Sequence, residues 1–371
     1  MSGPARPLLF AATLLCLAAS AAFTPHPIVA LMLAQAERPV LTPAERCTSA
    51  AEDATVTFAD EDLAAAVRTA LSIGRDAPLT CRLAAGITSL PRVGAVESLE
   101  GLQNLPALTS IDFGFNAIRD LSPLAGLTRL TTLSLASNPG LTDLTPLSSL
   151  TDLRVLVLSR NRISDLTPLG TLSELTTLDL DENAIVDLNP LRTLTALRVL
   201  YLSDNPGLAD LTPLAELTNL RVLHLARNPM LVDVSPLSRL SSLTALDLDA
   251  NAVADIGALG ALTELRVLYL ADNPHVVDLS GLSGLTGLRV LHVSGNPNLV
   301  DLRPLASLPN LTVVDLSNDS SLTDIQPLLD NPGVGGGDEV YLEATPVSCT
   351  DVQALRARRV FVPLSVQATC R

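Results

Sequence analysis

Histidine, tyrosine and aspartate alternate at one recurring position in the second half of this sequence. The position reads Asp179, Tyr201, His224, Asp247, Tyr269, His292 and Asp315. If successive members lie side by side, His224 could form a hydrogen-bonded pair with Asp247, and His292 could do the same with Asp315. Catalysis would also need a nucleophile or third group and a pocket that excludes water. Neither is indicated, so we expect no enzymatic activity and no catalytic residues.

Metal binding is a second possible role for the acidic side chains. Zinc needs three or four converging ligands, whereas one His and one Asp per repeat supply two. A further Asp recurs at Asp120, Asp143, Asp165, Asp187, Asp210, Asp233, Asp255, Asp278, Asp301 and Asp324. It could cap a backbone turn or contribute to a stack of calcium-binding carboxylates. Repeats without the usual Pro, as at Gly257-Ala258, keep this Asp, which favours capping. We therefore expect no metal ion and no cofactor.

These positions recur because the chain repeats every 22 or 23 residues. The template is L-x-x-L-x-L-x-x-N-x-I-x-D-L-x-P-L-x-x-L-x-x. Ten repeats begin at Leu108, Leu130, Leu153, Leu175, Leu197, Leu220, Leu243, Leu265, Leu288 and Leu311. The L-x-L alternation predicts a short strand with leucines inward, and the remaining residues suffice for a 3-10 turn. Because no repeat can bury its leucines alone, the repeats must stack into a right-handed coil with one parallel sheet.

An asparagine follows each predicted strand in nine of the ten repeats. The predicted structural asparagine ladder is Asn116, Asn138, Asn161, Asn183, Asn205, Asn228, Asn251, Asn273 and Asn296. Asn bonds nearby backbone groups and tolerates turn conformations, so stacked Asn side chains can satisfy the turn that leaves each strand. The tenth place is Asp319, whose carboxylate accepts hydrogen bonds but does not donate them. We expect a looser last coil there.

The outward positions of the strands form a candidate binding surface. The predicted partner-binding residues are Val155, Val157, Asp179, Val199, Tyr201, Val222, His224, Asp247, Val267, Tyr269, Val290, His292 and Asp315. Residues 175–242 and 243–310 are identical at more than half of their positions, so three repeats form a duplicated unit. Duplication explains the repetition but not the residue types. Tyrosine is a favoured interface anchor because it buries a large rigid ring and keeps a hydrogen bond.

The N-terminus and the cysteines indicate export. An apolar run over residues 8–23 follows Arg6 and ends in small residues, which is typical of a signal peptide. We place cleavage after residue 22, with an alternative near residue 36 and an uncleaved anchor as a further alternative. Cys16 leaves with the signal. Four cysteines allow three pairings, and Cys47–Cys81 with Cys349–Cys370 is the pairing that does not bridge opposite ends of the solenoid.

The repeat motif resembles the bacterial internalin-type leucine-rich repeats. Similarity to that family extends to a helix around residues 58–73, with Asp60 as its cap, and to a last strand at 340–342. The sequence divides into a signal peptide (1–22), a linker (23–46), an N-terminal helical cap (47–86), leucine-rich repeats (87–333, with a degenerate first repeat at 87–107 and ten repeats from 108) and a C-terminal cap (334–371).

The resemblance implies a fold and a class of function. The fold is an α/β solenoid: a leucine-rich-repeat horseshoe with a concave parallel β-sheet and short 3-10 turns on the convex side. The function is recognition of a protein, or alternatively a glycan, on the concave face. Two alternatives remain open, a self-associating structural protein of the cell envelope and an inhibitor of a secreted enzyme.

Charge and hydropathy limit the classes of partner and the cellular location that we expect. The net charge is −15 and the isoelectric point about 4.6, and an acidic surface repels nucleic-acid phosphates. The apolar N-terminal runs are shorter than the roughly 20 residues that span a membrane. We expect a monomer that is secreted, periplasmic or on the cell surface, without membrane insertion after signal cleavage.

Overall fold

The alternating leucines of the repeats form short strands, and these strands assemble into one parallel sheet. A computed structural model describes residues 39–49 and 52–363. The predicted signal peptide, linker residues 23–38 and Cys370 lie outside the described residues. The strands are β1 Ser110–Asp112, β2 Thr132–Ser134, β3 Val155–Val157, β4 Thr177–Asp179, β5 Val199–Tyr201, β6 Val222–His224, β7 Ala245–Asp247, β8 Val267–Tyr269, β9 Val290–His292, β10 Val313–Asp315 and β11 Glu339–Tyr341.

Strand order in the sheet follows chain order from β1 to β11. Neighbouring strands pair in register, so that Asp179 lies beside Tyr201 and Tyr201 beside His224. The central residue of each strand is buried and the two flanking residues face solvent, as in β5. The predicted leucine-rich-repeat solenoid is thus confirmed. It is one strand longer than the ten repeats because β11, in the predicted C-terminal cap, pairs with β10.

Short 3-10 turns return the chain from one strand to the next on the convex side. They span Leu102–Asn104, Ser122–Leu124, Thr145–Ser149, Thr167–Thr171, Asn189–Thr193, Thr212–Glu216, Ser235–Arg239, Gly257–Ala261, Ser280–Leu282 and Arg303–Ser307. The recurring Asp caps these turns: Asp120 Oδ1 accepts a hydrogen bond from the Ser122 amide at 2.8 Å. The equivalent bond recurs in every later repeat. The predicted capping role of these aspartates therefore agrees with the structure: each accepts a hydrogen bond from a backbone amide of the turn that follows it.

The inward leucines form one continuous hydrophobic core along the whole stack. Leu178, Leu200 and Leu223, the central residues of three neighbouring strands, are fully buried. Each lies beside the equivalent residue of the next coil. Because every layer offers a slot of the same shape, Leu recurs where a globular core would mix side-chain sizes.

Asparagine side chains join each coil to the coil before it. Asn205 Nδ2 donates to the Leu202 carbonyl of its own coil and to the Leu180 carbonyl of the preceding coil, both at 3.1 Å. Its Oδ1 accepts from the Ile185 amide at 3.0 Å. The pattern runs from Asn116 to Asn296. Buried turns at the strand ends therefore keep their backbone groups paired.

Helical segments close both ends of the stack. At the N-terminal end, α1 is Glu61–Ala70 and α2 is Cys81–Ala84. Asp60 caps α1 by accepting a hydrogen bond from the Leu63 amide at 3.0 Å. A disulfide joins Cys47 to Cys81, with the Cα atoms 5.5 Å apart. This bond holds α2 against the 3-10 turn Cys47–Ser49 at the start of the cap.

The C-terminal end is closed by α3, Gln326–Asp330, and α4, Cys349–Ala357. Arg358 follows α4 and donates to the carbonyls of Leu329 and Asn331 at 2.6 and 2.8 Å. The predicted pairing of Cys349 with Cys370 stays a prediction. Over the part of the chain that is described, no helix has the length and apolar character needed to cross a membrane.

Candidate recognition surface

Two rows of half-buried side chains run across the concave face of the sheet. The first row comes from the first residue of each strand and reads Val155, Thr177, Val199, Val222, Ala245, Val267, Val290 and Val313 from β3 to β10. The second row comes from the last residue and reads Val157, Asp179, Tyr201, His224, Asp247, Tyr269, His292, Asp315 and Tyr341 from β3 to β11. The thirteen residues predicted to bind a partner all lie in these rows. Thr177 and Ala245 interrupt the valines, and Tyr341 continues the alternation beyond the predicted set.

Each histidine of the second row packs against the tyrosine of the preceding strand. The rings of Tyr201 and His224 have centroids 4.8 Å apart and meet at 89°. The rings of Tyr269 and His292 are 4.7 Å apart at 78°. No hydrogen bond joins either His to the following Asp within the described residues, so the His–Asp pairs considered from the sequence do not form. Edge-to-face packing of this kind is worth about 0.5–1.5 kcal/mol beyond area burial and holds both rings in place.

A carboxylate cluster lies where β4 and β5 end. Asp181 Oδ1 accepts a hydrogen bond from the Ser203 amide at 2.6 Å. Partial burial, together with the charges of Asp179 and Asp204, raises the pKa of Asp181 to about 6, against the lowering effect of the Ser203 amide. Asp181 is therefore a half-buried carboxyl whose ionised form a nearby positive charge would stabilise.

The same cluster recurs where β7 and β8 end. Asp249 Oδ1 accepts from the Ala271 amide at 2.7 Å. Burial and the neighbouring Asp247 and Asp272 carboxylates raise the pKa of Asp249 to about 6, while the Ala271 amide lowers it. The duplicated unit has thus preserved the three carboxylates and the raised pKa of the half-buried one.

The two clusters differ in one basic partner. Arg227 forms two hydrogen bonds with Asp204, at 2.7 and 2.5 Å. Gly295 occupies the equivalent place in the second cluster, with a positive φ of 71°. Asp272 accordingly makes no ion pair with any described residue. Asp272 is exposed, whereas Asp204 is half-buried, and the charge of Arg227 also lowers the pKa of Asp249 in the second cluster.

Arginines line the opposite edge of the concave face, and the sequence analysis did not single them out. They immediately precede β3, β5, β6, β8 and β9: Arg154, Arg198, Arg221, Arg266 and Arg289. All five are exposed, and Arg154 alone has an ion pair within the described chain, with Glu174 at 3.9 Å. The signal was available, because from Leu175 onward the residue after the first Leu of the repeats reads Thr, Arg, Arg in turn. The arginines precede the strands and the carboxylates follow them, so the two sets lie at opposite ends of the strands.

A row of residues with left-handed backbone conformation was also not predicted from the sequence. It lies just before the asparagine ladder and consists of Phe115, Ser137, Arg160, Glu182, Asp204, Arg227, Ala250, Asp272, Gly295 and Asn318, with φ between 52° and 71°. Glycine usually marks such a conformation, and here only Gly295 does. The turn directs side chains to the acidic edge, where Arg160 pairs with Glu182 at 2.7 Å.

The described residues contain no group of three or more His, Cys, Asp or Glu side chains arranged to hold a metal ion. The concave face instead has three bands: exposed arginines along one edge, Val, Tyr and His in the middle, and carboxylates along the other edge. Such a face on a stack of leucine-rich coils defines the class of the protein, a leucine-rich-repeat solenoid with an open, charge-polarised sheet.

Comparison with known proteins identifies the family. The family model for leucine-rich repeats in two copies matches residues 128–171, 173–216, 195–239, 263–307 and 286–330. The solved structure of internalin C2 from Listeria monocytogenes is 32% identical, with coverage of 63% of this chain and 93% of that chain and a TM-score of 0.50. An internalin designated inlF from the same organism is 27% identical, with coverage of 82% of this chain and 95% of that one and a TM-score of 0.68. No curated protein sequence matches. The chain belongs to the internalin-like leucine-rich-repeat proteins.

Proposed function

We propose that this protein is a non-enzymatic scaffold that binds another protein on its concave face. The observation that carries the proposal is the half-buried strip of Tyr201, His224, Tyr269 and His292 between edges of opposite charge. Tyrosine is enriched among the residues that dominate interface energies. Opposite charges on the two edges would orient a partner as it docks.

The proposed location is outside the cytoplasm, secreted, periplasmic or at the cell surface. The Cys47–Cys81 disulfide supports this location because disulfides persist in oxidising compartments. The predicted signal peptide supports it independently. A glycan is the competing class of ligand for the same face. If the protein is instead an inhibitor of a secreted enzyme, the enzyme would bind on this face as well.

The proposal is tested by a pull-down from culture medium and cell envelope. Tyr201→Ala with Tyr269→Ala, and separately Asp179→Arg with Asp247→Arg, should each weaken capture of the native partner. Loss of two tyrosine anchors worth about 2 kcal/mol each amounts to about 4 kcal/mol when the losses add, which is roughly a 700-fold loss of affinity. Mass spectrometry and protease treatment of the captured material distinguish a protein from a glycan.

The matched control changes exposed residues on the convex side, Arg192→Ala and Arg239→Ala. These variants should bind like the unchanged protein. Unchanged capture by both concave-face variants would refute the assignment of this face.

Self-association is the second candidate function, and a separate surface favours it. A lateral row of valines, Val186, Val232, Val277 and Val300, is 51–60% exposed. We expect no oligomers if the protein acts as a monomeric scaffold. Concentration-dependent growth in light scattering that Val232→Asp with Val277→Asp abolishes would favour the structural role instead.

A further inference from the structure

The concave face carries the same three-strand site twice. The first copy, on β4 to β6, has Asp179, Tyr201 and His224. The second copy, on β7 to β9, has Asp247, Tyr269 and His292. The match extends to side-chain geometry, because the Tyr–His contact has the same edge-to-face form in both copies.

Each copy places carboxylates on one side of its tyrosine. In the first copy Asp181 is held by the Ser203 amide, and in the second Asp249 is held by the Ala271 amide. Neither Asp181 nor Asp249 forms an ion pair within the described chain. In both copies burial, with a smaller contribution from the neighbouring carboxylates, raises the pKa of the held one, so a positive charge beside it would stabilise its ionised form.

A basic side chain fits this combination better than a neutral one. Its charge would relieve the repulsion among the carboxylates, and its aliphatic stem or guanidinium plane would pack on the tyrosine ring. Cation–π contact of this kind adds to the ionic attraction. The arginines at the opposite edge repel a basic group, which leaves the acidic edge as its place on this face.

We propose that the two copies bind two basic side chains of one partner segment, an inference that rests on the proposed binding of a partner to the concave face. Equivalent atoms of the copies lie three strands apart, about 14 Å at a strand spacing of about 4.8 Å. In an extended segment, residues four apart are about 13 Å apart and project to the same side. The occupant is therefore an extended segment with Lys or Arg at positions i and i+4, running across the strands.

The test uses two synthetic peptides of identical composition in a serine background. One has two arginines four residues apart and the other has two adjacent arginines. We expect the spaced peptide to bind the purified full-length chain at least tenfold more tightly in fluorescence anisotropy, because only it can engage both copies at once. Equal affinities would overturn the proposal.

Variants assign the effect to the two copies. Asp179→Asn with Asp181→Asn removes the first copy, and Asp247→Asn with Asp249→Asn removes the second; Asn retains the oxygen that accepts the backbone hydrogen bond. Each variant should bind the peptide with spaced arginines no more tightly than it binds the peptide with adjacent arginines. A spacing preference that survives in either variant would also overturn the proposal.

The control is Asp187→Asn with Asp255→Asn. Like each test variant it removes two carboxylates, here one from each of the two coils, and both lie on the other side of the solenoid. It should keep the spacing preference. The native-partner pull-down separates the two hypotheses. If partner capture depends on Tyr201 and Tyr269 but the spacing of the arginines in the peptide has no effect, only the present inference fails. If the concave-face substitutions leave partner capture unchanged, the proposed function fails.

Discussion

At the scale of single residues, Asp319 is the side chain least suited to its surroundings. It is fully buried at the end of the asparagine ladder. Its Oδ1 accepts a hydrogen bond from the Asn296 amide at 2.7 Å, while Oδ2 has no partner. Burial, with a contribution from the Asp315 charge, raises the pKa of Asp319 to about 8. The folded protein therefore holds this carboxyl in its neutral form at neutral pH.

This carboxyl makes stability depend on pH in a defined direction. The unfolded state loses the proton near pH 3.8, whereas the folded state keeps it until about pH 8. The contribution is thus complete below about pH 4 and is lost as pH rises through about 8. Asp319→Asn should remove this dependence. At pH 8 it should raise the free energy of unfolding by about 1–3 kcal/mol, because the amide can donate where Oδ2 lacks a partner.

The measurement is hydrogen exchange of the coils around β10 and β11 between pH 5 and pH 9, corrected for the intrinsic exchange rate. Asp324→Asn, the same substitution at an exposed position of the same coil, serves as the control and should keep the pH dependence. A difference between Asp319→Asn and the unchanged protein that is constant over this range would contradict the assigned protonation.

At the scale of the element, the left-handed row determines how each strand ends. A non-glycine residue in this conformation costs roughly 1 kcal/mol, and nine of the ten coils bear this cost, with Gly295 as the exception. At Arg160 and Arg227 the side chain gains an ion pair. Ala250 has no such compensation at a φ of 54°.

Ala250→Gly should therefore stabilise the protein by about 0.5–1 kcal/mol, since glycine adopts positive φ without steric cost. Ala252, two residues later, has ordinary backbone conformation and is the matched control. Ala252→Gly should lower the free energy of unfolding by a similar amount. Urea denaturation followed by circular dichroism measures both. A loss of stability in both variants would mean that the Ala250 methyl group makes a needed contact.

At the scale of the whole molecule, each coil pairs with its neighbours, so stability is a sum of adjacent interfaces. The end coils have one neighbour and depend on their caps. At the N-terminal end the cap includes the Cys47–Cys81 disulfide, which links residues 34 positions apart. The cap should open independently of the central coils when this bond is removed.

Cys47→Ala with Cys81→Ala is expected to lower the stability of the N-terminal cap by about 2–4 kcal/mol. Hydrogen exchange should accelerate in α1 and α2 and stay unchanged in β5 to β8. Peptide binding on the concave face should persist. Uniform acceleration along the chain would show instead that the solenoid unfolds as one cooperative unit.

The repeat pattern alone is enough to predict the architecture, because period, leucine alternation and Asn position specify contacts between neighbouring coils only, and every coil repeats them. It also predicts which residues face outward, since the side-chain period of a strand is two. How those residues interact became apparent only in the folded solenoid. It paired His224 with Tyr201 and not with Asp247, gave left-handed conformation to residues other than glycine, and half-buried Asp181 among carboxylates. These outcomes depend on rotamers, backbone turns and local solvation across adjacent coils, which a one-dimensional pattern does not specify.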